Sequence, residues 1–428
     1  MRVCLFEDAL APDLEPLTLT RPAFDLLCGC TTLATKQIRY FGAQEYGVLV
    51  RPYLTGVAAE YHSGTPVNDL DWLRRGPVVL VNARWLPPAP LPGVTHDLDE
   101  PIVAVCDGEV AYVALTPNLL DDCSPLTLDA CLEAWRDSLR IRTVGGRMLR
   151  YLWDVVDANG SEIELDAWLT SPERPRRTEG LPALVGPADR LIVDPTAHID
   201  PMVVADTTAG PVIIDRDAVV TAFTRLEGPC YIGPGTQLLG AKIRGGTSLG
   251  PQCRIGGEVE CSVVWGYSNK YHDGFLGHAY VGAWVNLGAG TSNSDLRNDY
   301  GEVRVQVRGR AIDTGRSKVG CFLGDHTKTG LGTLLNTGTS AGAFCNLLPT
   351  GSLLPKYVPS FANVWNGALR DNADLPALLK TARRVMRRRG KTLDLLHERL
   401  YQQVWEQTAG VRRQAIREAE VRRLRKSA

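Results

Sequence analysis

Between Val193 and Leu287 aliphatic residues keep returning at every sixth position: Val193 and Ile199, Ile214 and Val220, Ile232 and Leu238, Ile243, Leu249 and Ile255, Val281 and Leu287. Glycine and then threonine follow several of them, as in IGPGT at Ile232, IRGGT at Ile243 and LGAGT at Leu287. A beat of six fits neither the 3.6-residue period of an amphipathic helix nor the alternation of a half-buried strand. It fits a β-solenoid whose coils have three short flat faces, so that each sixth residue points into a narrow core. Glycine turns the corners at low steric cost, and β-branched residues suit the flat walls. Single-residue slips, such as Leu238 to Ile243, leave the beat in step. The pattern predicts a solenoid over 185–359 whose flat walls pack against other copies.

At 428 residues the chain exceeds what one hydrophobic core organises. Ahead of the solenoid, strands are predicted at Val3–Phe6, Tyr46–Val50, Val78–Val81, Ile102–Val105 and Val110–Ala114. Helices are predicted around Thr31–Phe41, Leu126–Leu139 and Met148–Asp157. Alternating strands and helices indicate a three-layer α/β unit over 1–180. It ends at a proline- and arginine-rich segment, Ser171–Glu179, with the composition of a linker. After the solenoid unit, taken as 185–365, comes a helical cap and tail over 366–428: Asp374–Arg389 and Thr392–Trp405 read as helices, expected to cap the open solenoid end, and the arginine-rich run from Val411 to Lys426 suits a solvated helix or a subunit contact better than a nucleic-acid tail.

A net charge of −1 gives no global attraction to nucleic acid or anionic lipid. No run of about 18 apolar residues suggests a membrane span. The eleven cysteines are odd in number and lack metal-site spacing, which points to buried thiols in a reducing cytoplasm.

Chemistry concentrates between Cys261 and Val305, where Trp265, Tyr267, Tyr271, Phe275, Tyr280 and Trp284 accompany His272, His278 and Lys270. Such a mixture suits a pocket for a polar ligand; the competing reading is an aromatic core layer. His272, flanked by Lys270, Tyr271 and Asp273, is the candidate general base, since a neutral imidazole takes a proton from an attacking amine near pH 7. The Gly288–Gly290 turn offers backbone N–H groups for an oxyanion. A second cluster, GDHTKTG, carries Asp325, His326 and Lys328, with Lys318 upstream; it is either a second polar site or a self-satisfied corner.

The phrases GYSNKYHDGFLGHAYVG and NLGAGTSNSDLRNDYG resemble the bifunctional N-acetylglucosamine-1-phosphate uridyltransferase/glucosamine-1-phosphate acetyltransferase family, and more closely a divergent branch of sugar nucleotidyltransferases. The resemblance spans nearly the full chain. It implies a Rossmann-like nucleotidyltransferase α/β domain followed by a left-handed parallel β-helix, a homotrimer, and acetyl coenzyme A as co-substrate. The family's catalytic histidine falls on His272, its following tyrosine on Phe275, and its sugar-phosphate arginine on Arg244. The asparagine of its Gly-Ala-Gly motif falls on Asn286, a later Asn-Tyr pair on Asp295 and Leu296, and Lys270 stands near its missing lysine. The base and the coenzyme side are thus retained while the acceptor contacts change. An acceptor other than glucosamine 1-phosphate is expected.

The N-terminal match is looser. Where the family has a glycine-rich triphosphate loop, this chain has FEDALAPDLEPLTLTRP, leaving Thr20, Arg21 and Lys36 as phosphate contacts. Asn82 and Arg84 stand where an aspartate for magnesium is expected, and Asp154 and Asn159 are the remaining metal-side candidates. The expectation is a cytoplasmic bifunctional transferase using a nucleoside triphosphate, a sugar 1-phosphate and acetyl coenzyme A. The rival is a trimeric solenoid scaffold or sugar-nucleotide-binding protein without turnover.

Overall fold

The computed structural model describes residues 1–90, 100–170, 177, 179–349, 351, 353–372 and 374–427, with no side-chain description for 170, 422 and 424–427. The expected linker 171–179 therefore lies outside the described residues except for Arg177 and Glu179.

The first strand, Arg2–Phe6, runs parallel to both Glu45–Leu49 and Val78–Asn82. Glu109–Leu115 pairs antiparallel with Val78–Asn82 and with Ile102–Cys106, and Arg140–Thr143 closes the six-stranded sheet. Five of these strands are the expected ones within a residue or two. The carboxyl ends of the three parallel strands share one edge, which carries Glu7, Asp8, Arg51 and Arg84. In open α/β sheets that edge is where ligands bind.

Helix Leu33–Phe41 starts after Thr32, whose side chain accepts from the Thr35 N–H. The third expected helix is corrected. Arg147–Met148 forms a strand against Trp85–Leu86, and the helix begins at Leu152 and continues to Thr170. Its extra length has a purpose in packing: Ile163 and Ala167 sit with Ile192, Ile213 and Tyr231 of the next unit.

From Ala183–Val185 onward the chain forms a parallel β-solenoid. All residues of the six-residue beat lie in or against one narrow core, with Leu226, Val259 and Leu276 supplying its third side. Outward residues make three different walls. One runs through Ile192, Ile213, Tyr231, Ser248, Val263, Tyr280, Phe322, Ser340 and Tyr357 in register. The N-terminal unit covers most of it. A second, here the amide wall, runs through Gln237, Arg254, Asn269, Asn286, Lys328, Asn346 and Asn363. The third is charged, with Arg225 paired to Asp206 and Glu227, and Arg244 to Glu258.

Two features depart from a plain coil stack. Tyr280 pairs directly with Phe322, and Ser292 with Leu334, so the intervening chain is thrown out of the solenoid as an antiparallel hairpin, Arg304–Val307 and Arg310–Asp313. Its alternating sequence has a period of two, which cannot continue a beat of six. At the corner between the covered and amide walls, Tyr267, Trp284, His326, Phe344 and Phe361 all adopt left-handed φ of 55–60°. That conformation is unfavourable for bulky residues. Stacking offsets it: the rings of Tyr267 and Trp284, and of His326 and Phe344, lie nearly parallel at 4.5 Å, and Phe344 and Phe361 at 5.1 Å.

Ala362–Trp365 turns back on Ala368–Asp371, and helices Leu375–Arg387, Leu395–Gln407 and Ala409–Ser427 follow. The last is anchored by buried Arg412, which donates to Asp371 and lies over Phe361 and Trp405. Ala415, Ile416 and Ala419 pack on the solenoid core, so this helix covers its end. Among the described residues no helix is long and apolar enough to cross a membrane. Nine of the eleven cysteines are buried.

Candidate functional site

The corner that carries His272 is wider than the one before it. Ile255 and Glu258 are register partners of Lys270 and Phe275. Two residues, Gly256 and Gly257, bridge the first pair, while four, Tyr271 to Gly274, bridge the second. The surplus pushes Tyr271, His272 and Asp273 into solvent. Gly274 permits the return: its φ is +133°, and a Cβ there would stand 2.1 Å from the Thr291 carbonyl oxygen.

Lys270 occupies a core-facing position. Its column reads Val220, Leu238, Ile255 and then Lys270, so an ammonium replaces a methyl group in the solenoid interior. It survives there by donating to the carbonyl oxygens of Gly256 and His272, each at 3.1 Å. Burial depresses its pKa to about 8, against the opposing pull of Asp273 and Glu258. Lys270 thus fastens the His272 backbone from inside.

The other two histidines that the sequence singled out, His278 and His326, differ sharply. Burial works against the charged form of His278, but the hydrogen bonds to Asp295, at 2.7 Å, and Cys261 outweigh it and hold the imidazole up at about 9. It is an imidazolium at neutral pH and has no capacity as a base. His326 is fully enclosed in the aromatic column, with Nε2 3.1 Å from the Tyr401 hydroxyl. Burial, followed by Lys328, His397 and Arg21, drives its pKa well below the usual histidine range. Asp325 does not orient it; that carboxylate accepts from Thr20, Arg21 and the Ala283 N–H. Lys328 donates to the His326 carbonyl, and its pKa is lowered to about 8 by burial.

On the amide wall the orientation of Asn286 follows from its neighbours. Arg389, just past helix Leu375–Arg387, donates to Asn269 Oδ1 at 2.8 Å, and Asn269 Nδ2 donates to Asn286 Oδ1 at 3.2 Å. A guanidinium only donates, so both amides are set by it, and Asn286 presents its NH₂ outward. The Gly288 and Gly290 N–H groups are already committed, to Thr329 Oγ1 and the Asp273 carbonyl. Nearby, Arg254 is depressed by burial and the Arg389 charge, and Arg389 by burial and Arg388. The guanidinium Nε of Arg389 is buried without a partner. Two crowded arginines with an unused donor favour an anion.

The remaining candidates are scattered. Arg244 pairs with Glu258 at 2.9 Å on the charged wall, Asp295 holds His278, and Phe275 lies against Gly277. The six aromatic residues that suggested one pocket do not converge. Trp265 donates to the Asp25 carbonyl and Tyr280 to the Leu27 carbonyl, Tyr267 and Trp284 belong to the stacked corner, and Tyr271 is exposed.

In the N-terminal unit each cation singled out is paired. Arg21 is buried against Asp325 and Trp265, and Lys36 lies between Asp166 at 2.7 Å and Glu162 at 2.9 Å. Arg84 grips Asp8 and Glu109, and Asn82 donates to Asp8. Asp154 accepts from the backbone of Arg150 and Tyr151 and from Arg316. Asn159 instead accepts from the Gly29 N–H and donates to the Gly246 carbonyl. These two are tied to different partners and do not form a magnesium donor set. Asp154, but not Asn159, lines an open cleft of about 780 Å³ together with Asp107, Arg147, Arg150, Asp157 and Arg316.

Residues 3–174 match a family model described as sugar nucleotidyl transferase. A bifunctional sugar-1-phosphate nucleotidylyltransferase/acetyltransferase of Sulfurisphaera tokodaii is 38% identical over 148 residues, covering 33% of this chain and 36% of that protein. The bifunctional protein GlmU of Azorhizobium caulinodans is 34% identical over 137 residues, 30% of each chain. That of Methanocaldococcus jannaschii is 30% identical over 115 residues, 27% of this chain and 26% of that protein. This chain is a divergent homologue of that bifunctional family. The matched stretches span about a quarter to a third of the curated relatives.

Within that family frame, Asn269, Arg254 and Arg389 escaped the sequence reading. Asn269 and Arg254 had a signal, since they lie one and two coils before Asn286 in the same column. Arg389 had none: it reaches the wall from 120 residues away.

Proposed function

We propose that the solenoid transfers an acetyl group from acetyl coenzyme A to an amino sugar, with His272 as general base, in a chain whose family couples this step to sugar nucleotidyl transfer. The observation that carries it is the contrast among histidines. His278 is held charged and His326 is walled in, while His272 stands in solvent on a widened corner pinned by Lys270. In this reading His272 takes the proton of the attacking amine. The outward NH₂ of Asn286 faces the developing oxyanion, and Arg254 and Arg389 attract donor phosphates. A homotrimer would bring a neighbouring copy to the corner through the walls that the N-terminal unit leaves open.

For the N-terminal half, the paired cations favour a second reading, in which the sheet edge recognises a sugar nucleotide without turnover. Binding phosphate at Arg21, Lys36 or Arg84 requires displacing a carboxylate from each.

The test is to supply acetyl coenzyme A with a panel of amino sugars, their 1-phosphates and nucleotide derivatives, and to read thiol release. Diphosphate release is read separately with nucleoside triphosphates and magnesium. His272→Ala is expected to lower kcat by about 10² to 10⁴ with little change in the KM for acetyl coenzyme A, and Asn286→Ala to lower it less. Thiol release undiminished in His272→Ala sinks the assignment. Absence of diphosphate release with every triphosphate and sugar 1-phosphate pair favours the recognition reading.

A further inference from the structure

Segments that are remote in sequence line a partly open cavity of about 400 Å³: residues 12–19 and 51–53 of the N-terminal unit, 306–308 of the extruded hairpin, 340–342 and 357–360 of the late coils, and 407–411. Neither His272 nor Asn286 lines it. Its volume is that of a small-ligand site.

One of its polar atoms, Gln306 Oε1, is buried without a hydrogen-bond partner. The half-buried Glu15 lines the same space. Burial pushes Glu15 up to about 7, against the pull of Arg51 and Arg308 and with a push from Asp13. A buried acceptor left without a donor is destabilising, so Gln306 Oε1 beside the Glu15 carboxyl calls for donors from a ligand.

The charges decide its type. Arg51 is fully engaged by Glu7, the Tyr53 hydroxyl and the Thr18 carbonyl. Arg308 and Arg310 share Asp13. A phosphate would be set against Glu15, and an ammonium against Arg51 and Arg308. Hydroxyl groups meet neither penalty, donating to Glu15 and Gln306 while accepting from Arg308 and the Ser340 hydroxyl. Tyr53 and Tyr357 line the same space and supply apolar ring surface for C–H groups.

We propose that this cavity binds an uncharged polyhydroxylated ligand of monosaccharide size, at a site separate from the His272 corner.

The experiment is saturation-transfer NMR and thermal shift on the full chain, with glucose, mannose and N-acetylglucosamine as probes and glucose 1-phosphate as the charged control. Saturable binding of a neutral sugar at millimolar concentration is expected, tighter than that of the phosphate and preserved in His272→Ala. Ser340→Phe, which fills the cavity, and Gln306→Leu, which removes an acceptor, should each weaken it about tenfold or more, the scale of a lost buried hydrogen bond. Native circular dichroism in at least one of the two variants keeps that comparison valid. The proposal is overturned if no neutral sugar binds, if binding is lost in His272→Ala, or if it is unchanged in both cavity variants.

Discussion

The wall through Ile192, Ile213, Tyr231, Ser248, Val263, Tyr280, Phe322 and Ser340 is buried throughout, whereas the wall through Gln237, Asn269, Asn286, Lys328 and Asn346 remains partly open. Both obey one register, and both sit on the same aliphatic core. What separates them is the residue that points outward at each coil. Apolar and small residues on the first wall accept helix Leu152–Thr170 and the segment around Leu27–Cys28. Two of its polar groups find partners there: Ser248 donates to the Gly29 carbonyl and Tyr280 to the Leu27 carbonyl. The amide wall instead strings together groups with donors to spare. A solenoid thus divides scaffold from chemistry by wall, and the His272 corner lies at the edge of the open one.

Breaking the covered wall should have the largest effect. Asp325 is the shared acceptor for Thr20, Arg21 and the Ala283 N–H. Asp325→Ala leaves a buried guanidinium uncompensated, and a loss of about 3–5 kcal/mol is expected in chemical denaturation. A change below about 1 kcal/mol, the range of a surface pair, would show that the two units do not depend on this contact.

The side beneath the amide wall is probed through Lys270, the core-facing neighbour of Asn269. The folded pKa of Lys270 is about 8 and the ordinary value 10.5. Between those values the unfolded chain binds more protons, so this group makes stability rise with pH across that window. The wild type should therefore gain on Lys270→Met by up to about 3 kcal/mol between pH 7 and pH 10.5, whatever their offset at pH 7. Cysteine and tyrosine titrations are common to both proteins and cancel. Parallel stability profiles would mean that the ammonium is hydrated rather than held in the core.

A finer test returns to the covered wall. Tyr280→Phe removes one buried hydrogen bond at 3.0 Å and keeps the ring. It should cost about 1 kcal/mol, read as a lowered melting temperature. A neutral result would assign the wall's cohesion to apolar contact alone.

Much of this molecule was legible in its residues. The six-residue beat marked the solenoid core, because a core one side chain wide admits little besides Ile, Leu, Val and Ala at those positions. His272 and Asn286 were singled out by local phrases. The outward residues carried no comparable rule, since a wall's fate depends on what lies against it. Arg21 and Lys36 illustrate this: both suit phosphate as residue types, yet their partners, Asp325 and Asp166, lie 304 and 130 positions away. The aromatic residues near His272 misled for the same reason. Their periodicity reported burial but not whether the neighbour would be a ligand, a stacked ring or another part of the chain.

By itself the sequence determined the repeating coil, the α/β unit before it, the helices after it and the kinds of side chain available for chemistry, because these follow from local periodicity and residue type. Only the tertiary structure decided which histidine is free, which cations are spent in ion pairs and which way Asn286 faces. Those outcomes depend on burial and on donors and acceptors brought together from distant segments, and no local pattern encodes them.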